Sequence, residues 1–265
     1  MASNPRDRYL INSIIRASNV LKCFSGPKTH FRISELARHL GLDRSTTYRI
    51  LLSLERTGFV EKDKEAGTYS LGLAALEIGN AYLRQMDLIQ VSKPIMAGLA
   101  QKVQETVHLA VLSGREIVYV DKVDSPRSLG VMSKIGQRAP AYCTALGKVL
   151  LANQPENELS SIITEIKFKP FTQNTITSKK NLIEELRRVR DQGYALDQKE
   201  YEEDVECIGA PVRDHLGNAI AALSISGPQK KIGTPQEKQF ISHVIEAASL
   251  VSSKMGYREN PQSPV

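Results

Sequence analysis

No run of about 18 apolar residues occurs in this chain of 265, so no stretch offers a membrane-spanning helix. No apolar core follows the charges of the opening MASNPRDRYL, so no secretory signal is expected. Cysteine is scarce: Cys23, Cys143 and Cys207 are odd in number and too widely spaced for a zinc site. A reduced, cytoplasmic protein without a structural metal is the plain expectation. The stretch ALGK is not a phosphate loop, because G-x-x-x-x-G-K-[ST] would need Gly at 142 and Ser or Thr at 149, where Tyr142 and Val149 stand. Neither Ser224 nor Ser226 sits in a G-x-S-x-G nucleophile elbow. His30, His39, His108, His215 and His243 are scattered, with packed or surface histidine the default for each. No cofactor is expected.

What is present is an ordinary globular composition, 41% apolar, with a lopsided charge. Residues 1–60 hold ten Lys or Arg against four acids and so carry the whole formal charge of +6; the other 205 residues hold 25 of each sign. A basic head on a neutral body suggests a polyanion partner for the head, although a solvated basic surface would look the same.

In that head, Ile14, Ile15, Ala17, Val20, Leu21 and Phe24 recur at helical spacing before Gly26-Pro27 interrupts them. Ser34 is placed to cap a short second helix ending at Gly41, and Asp43 a third that stops at Gly58. In the third helix Thr47, Ile50, Leu51 and Leu54 form the inward stripe. Ser45, Arg49 and Arg56 then fall on the opposite face, with Arg44 and Thr46 at the exposed N-terminal end. Hydroxyl residues are mediocre helix formers, so Ser45-Thr46-Thr47 beside Arg44 and Arg49 serve something outside the helix. Two short helices joined by GLD form a helix-turn-helix, and FVEKDKEAGTYSL reads as a β-hairpin wing. A recognition helix presents such residues to base edges and phosphates in the major groove of double-stranded DNA. The expected DNA contacts are Ser34, Arg44, Ser45, Thr46, Thr47 and Arg49. A helical hairpin packed on protein is the alternative.

After an apolar-periodic linker, residues 73–86, the pattern changes. A long helix is expected from Pro94 to about Gln104. TVHLAVL and EIVYVDKV form a hairpin about Ser113-Gly114-Arg115, SLGVMSK a third strand and NAIAALSIS a strongly apolar one. Helices are expected over 144–153, 155–165, 178–192 and 235–255. The fold class is therefore α/β (α+β), an antiparallel sheet with helices packed on it, in a domain spanning about 87–260 behind a DNA-binding domain of 1–72.

Three stretches of this second domain can carry chemistry. In IGQRAPAYCTALGKVLLA, Thr144 can cap a helix whose first turn, Ala145-Leu146-Gly147, is small enough to expose amides to a ligand, or simply packs tightly. In GYALDQKEYEEDVECIGAPV, six acids lie from Asp197 to Glu206; a solvated loop is the usual fate of such a run, with Asp197 and Cys207 able to face inward at its ends. Ser224 and Ser226 share one face of an apolar strand, where each needs a hydrogen bond from a wet pocket or from backbone.

RSTTYRILLSLERTGFV, GQRAPAYCTALGKVLLA, and GYALDQKE followed by CIGAPV together resemble the IclR family of bacterial transcription regulators over nearly the whole chain. Gly193, Asp197, Glu200 and Cys207 fall at the family's spacing, while Arg213 stands where the family pattern usually has an aromatic or His. The resemblance implies a winged helix-turn-helix, a linker helix and a GAF-like effector domain, in dimers or tetramers on palindromic operators. It implies a pocket for a small carboxylic acid with Val131 and Ala139 as apolar wall, and Ala145 and Leu146 offering amides. Asp197, Cys207, Ser224 and Ser226 would supply polar contacts. IVYVDKVDS, SKIGQRAPAYCTALGKVLLA, TITS and MGY look most like the KdgR branch, which responds to 2-keto-3-deoxygluconate. The rival readings are a DNA-tethered enzyme using Cys143 or Cys207 as nucleophile, and a second domain that only oligomerises.

Overall fold

The computed structural model describes residues 9–26, 28–85, 87–126, 133–227 and 232–258, in two compact units, Met1–Gln85 and Met86–Val265. In the first, α1 (Asn12–Cys23), α2 (Ile33–Leu40) and α3 (Arg44–Arg56) precede the hairpin β1 (Val60–Asp63) and β2 (Thr68–Leu71), and α4 (Leu73–Gln85) follows. Val20, Phe24, Leu36, Leu51, Leu54, Val60 and Tyr69 make its core. Only the second half of α1 contributes: Ile14 and Ile15, expected inside, are exposed. Periodicity records that a face is apolar, not what covers it. Ser34 does not cap α2. That position belongs to Arg32, whose backbone N–H donates to Glu35 Oε2 at 2.8 Å, and Ser34 lies exposed in the first turn. The hairpin turn is held by Asp63 Oδ1, which accepts the N–H groups of Glu65 and Ala66.

The second unit begins with α5 (Asp87–Val103), which starts before Pro94 and contains it, so Pro94 does not open the helix as its sequence position suggested. Then come β3 (Thr106–Ser113), β4 (Glu116–Val123), β5 (Arg138–Pro140), a 3-10 turn at Ala141–Cys143, and the helices α6 (Ala145–Ala152), α7 (Glu156–Glu165) and α8 (Lys179–Gln192). The strands β6 (Ala195–Gln198), β7 (Glu206–Arg213) and β8 (Ala219–Gly227) and helix α9 (Glu237–Lys254) complete it. The six strands form one antiparallel sheet in the order β5-β4-β3-β8-β7-β6. The strand expected at 128–134 falls mostly on residues 127–132, outside the described ones; Ser133 and Lys134 are not in a strand, and β5 forms that edge.

Strand alternation sorts the sheet into two faces. Val107 and Leu109 of β3, Ile208, Ala210 and Val212 of β7, and Ala221, Leu223 and Ile225 of β8 pack with α5 and α9. The alternate residues, among them Ala110 and Ala222, pack with α6, α7 and α8. His108, Cys207, Ser224 and Ser226 share this second face. The start of α6 lies tight against the sheet: a Cβ on Gly209 of β7 would stand 3.1 Å from the carbonyl carbon of Ala145. At Gly147 a Cβ would meet the Ala141 carbonyl oxygen at 2.2 Å, so this glycine is required by packing.

Candidate functional site

At the start of α3, Asp43 Oδ1 accepts the Thr46 N–H at 2.7 Å, and hydrogen bonds from Thr46 hold the Asp43 carboxyl below its ordinary range. This cap satisfies one of the end amides and leaves the first turn facing outward. Arg44, Ser45 and Arg49 are exposed and Thr46 is half-buried. Thr47, expected both in the inward stripe and among the DNA contacts, takes the first role alone. It is fully buried and its hydroxyl donates to the Asp43 carbonyl at 2.9 Å, which removes it from the outward face. Tyr48, 45% exposed, stands among the arginines and hydroxyls instead.

The second site is a narrow pocket between the start of α6 and the sheet. Ala145, Leu146, Asp197, Cys207, Ser224 and Ser226 all border it. Ala139 is buried in the core beneath α6 and does not border the pocket, and Val131 lies outside the described residues. Thr144 caps α6 by accepting the Gly147 N–H at 3.2 Å, and its own hydroxyl donates to the Pro140 carbonyl at 3.1 Å. The amides of Ala145 and Leu146, ahead of the first intrahelical acceptors, belong to the free end of the helix. Ser224 and Ser226 do face this pocket, with their hydroxyl oxygens 3.5 Å apart.

Sequence reasoning missed His108, Tyr119 and Tyr201, which also border the pocket. His108 Nδ1 lies 3.3 Å from the Ser226 hydroxyl and Nε2 2.5 Å from the Ser133 hydroxyl. Burial first, and the charge of Lys122 second, push its pKa down to about 3, so the ring is neutral and must accept at one nitrogen and donate at the other. The acidic run is no solvated loop at its ends: Asp197, Glu200 and Glu206 are all buried. Asp197 Oδ1 accepts the Glu200 N–H at 2.8 Å. Burial and then the charge of Glu200 raise the Asp197 carboxyl to about 7.

Behind Asp197 lies an ion cluster. Lys148 of α6, 1% exposed, reaches Glu200 at 2.5 Å and Glu185 at 3.2 Å. Burial opposes the lysine charge, but the two glutamates outweigh it and hold the Lys148 pKa above its usual value. At Cys143 the nucleophile reading finds no support. Cys143 is buried, and burial, then the charges of Asp197 and Glu200, raise its thiol pKa far above the ordinary value. Among the described residues no helix is long and apolar enough to cross a membrane.

Residues 13–64 match the IclR helix-turn-helix domain, and residues 80–253 match the domain described as bacterial transcriptional regulator IclR C-terminal. The chain is 36% identical to the HTH-type transcriptional regulator KdgR of Escherichia coli K12 over 95% of both chains. It is 33% identical to the HTH-type transcriptional regulator XynR of the same strain over 94% of this chain and 98% of that one. Among solved structures it is similar to Thermotoga maritima IclR, with a TM-score of 0.71 and 33% identity over 93% of this chain and 99% of the other. It is also similar to the C-terminal domain of E. coli KdgR, with a TM-score of 0.60 and 40% identity over 65% of this chain and all of that one.

Proposed function

The chain belongs to the IclR family of bacterial transcriptional regulators, DNA-binding proteins rather than enzymes, and from that premise we propose that it is a repressor released or engaged by a small hydroxylated carboxylic acid. It binds a palindromic operator as a dimer or tetramer in the cytoplasm. The acid is 2-keto-3-deoxygluconate or a related sugar acid, the reading favoured by likeness to KdgR. The observation that carries the reading is the convergence on one pocket of the α6 start with Asp197, Ser224 and Ser226. There the acid's carboxylate meets the Ala145 and Leu146 amides, as anions do at helix N-termini. The acid's hydroxyls pair with the serines, and another of its oxygens meets Asp197. On the other unit, Arg49 and Ser45 read base edges while Arg44 meets phosphate. Pairing of two chains is supported by apolar residues left bare on the first unit, Tyr9, Leu10, Ile11 and Ile14 near α1 and Leu73, Leu76 and Ile78 on α4.

Thermal denaturation of the purified chain with a panel of sugar acids and aromatic acids tests the effector. A true ligand at about 100 times its dissociation constant adds roughly 2.7 kcal/mol of stability. Stabilisation by 2-keto-3-deoxygluconate, with little from aromatic acids, is the expected result. Stabilisation by aromatic acids alone would place the effector in another chemical class.

A further inference from the structure

Among the described residues bordering the α6 pocket there is no lysine and no arginine. Two carboxylates border it, Asp197, buried on β6, and Glu202, exposed on the loop that follows. His108 on β3 is neutral and supplies no positive charge. Lys148 on α6 lies behind Asp197, outside the lining, and is already held by Glu200 and by Glu185 of α8. Glu185 has a further partner in Arg188 at 3.3 Å. An incoming carboxylate therefore meets backbone dipoles on one side and a buried carboxyl group on the other. A buried charge without a partner is costly, and two like charges in one buried space cannot both persist cheaply.

We infer that the pocket takes up its acid together with one proton, which Asp197 receives from solvent and then donates to the ligand as an O–H hydrogen bond. The inference rests on the reading of this pocket as an acid site and names what that site demands of its ligand. Asp197 Oδ1 is engaged by the Glu200 N–H, so Oδ2 is the oxygen that carries the proton. A protonated carboxyl is a donor where an ionised one is only an acceptor. The matching ligand atom is thus an acceptor, a keto or carboxylate oxygen, rather than a hydroxyl hydrogen.

The groups facing Asp197 bear this out from every side. Glu200, Tyr201 and Glu202 follow it in the chain, Cys207 is its register partner on β7, and Cys143 and Tyr119 approach from the 3-10 turn and β4. Lys148 is the only cation in this group, shared with two glutamates. Burial and the Glu200 charge already place the Asp197 carboxyl at about 7, so the proton is exchanged near neutral pH. Because the folded pKa lies above the ordinary carboxylate value, folding itself holds a proton here, and stability from this group falls as pH rises from about 4 to 7.

Calorimetric titration of the full chain with 2-keto-3-deoxygluconate, in buffers of different ionisation enthalpy, counts the protons taken up. The expected count approaches one per site at about pH 8 and falls toward zero by about pH 6, with the dissociation constant rising roughly tenfold per pH unit above 7. Asp197→Asn keeps the acceptor for the Glu200 N–H and carries a permanent donor. It should flatten that pH dependence to less than about twofold, while heat denaturation confirms that it folds. If the variant does not fold, the proton count on the parent decides alone. Binding at pH 8 with no proton uptake overturns the inference, and so does a pH dependence that survives in a folded Asp197→Asn. Failure of this acid and of the other sugar and aromatic acids to bind at any pH from about 6 to 8.5 defeats the acid-site reading itself, and this inference with it.

Discussion

Asp43 and Thr144 each cap a helix by accepting the backbone N–H three residues on, from Thr46 at 2.7 Å and from Gly147 at 3.2 Å. Both caps leave the first amides of a helix available, and small or hydroxyl side chains stand in each first turn, Ser45 and Thr46 in α3 and Ala145 and Gly147 in α6. Their surroundings are opposite. The start of α3 is exposed and ringed by Arg44, Arg49 and hydroxyls, a surface suited to a polyanion that brings its own counterions. The start of α6 is buried, pressed against β7 at Gly209, and shares its pocket with carboxylates rather than arginines. On the proposed function, one local device serves a macromolecule where it is open and a small molecule where it is closed. Context, not the cap, decides the ligand.

The sharpest break in this comparison should come from the ions behind the buried start, which have no counterpart at α3. Lys148→Met removes the cation from Glu200 and Glu185 and leaves buried negative charge, an expected loss of roughly 3–5 kcal/mol in urea unfolding. A loss below about 1 kcal/mol would mean the cluster is hydrated and contributes little. Next in size, Gly147→Ala forces a methyl into the Ala141 backbone and should cost about 1–3 kcal/mol, with weakened effector binding as the start of α6 shifts. Unchanged stability would show that the contact relaxes freely.

At the open start, Arg49→Ala should weaken operator binding and relax base preference by roughly 1–3 kcal/mol without altering the fold of the second unit. Arg44→Ala should act almost evenly on all sequences and lower the salt slope by about one, read from affinities at several salt concentrations. If the two substitutions behave alike, the division between base reading and phosphate binding is wrong. The smallest effect belongs to the cap itself. Thr144→Ala should cost about 1 kcal/mol in thermal unfolding. A loss above about 3 kcal/mol would show that its bond to Pro140 also holds the 3-10 turn.

The two sites also differ in how much of them can be read from residues in order. The open site is local: cap, hydroxyls, arginines and wing lie within thirty residues of Asp43, and there the structure takes Ser34 out of its expected cap and Thr47 off the outward face. Ser34 and Arg32 are two residues apart, and helix starts are the least determined feature of a pattern. The buried site draws on β3, β4, β6, β7, β8 and α6, so its members lie up to 118 residues apart. Ser224 and Ser226 could be singled out because polar groups in an apolar strand need partners, whereas Asp197 and Cys207 entered as inward-facing ends of an acidic run and through the family resemblance. His108 and Tyr119 could not, since a lone ring in a strand has the look of core. Lys148 and Glu200 meet across 52 residues, and nothing local in ALGK or in the acidic run announces that pairing. Those strands, β6 and β7, were hidden by the same acids that the fold buries.

Coupling between the open and the closed site is tested most directly by measuring full-chain affinity for an operator selected from random duplex, with and without saturating 2-keto-3-deoxygluconate. The expected change is about 5–150-fold, or 1–3 kcal/mol, with the operator altering acid affinity by the same factor. A random duplex should show far weaker binding and little response. Equal operator affinity with and without the bound acid would contradict the reading of the second unit as the control of the first.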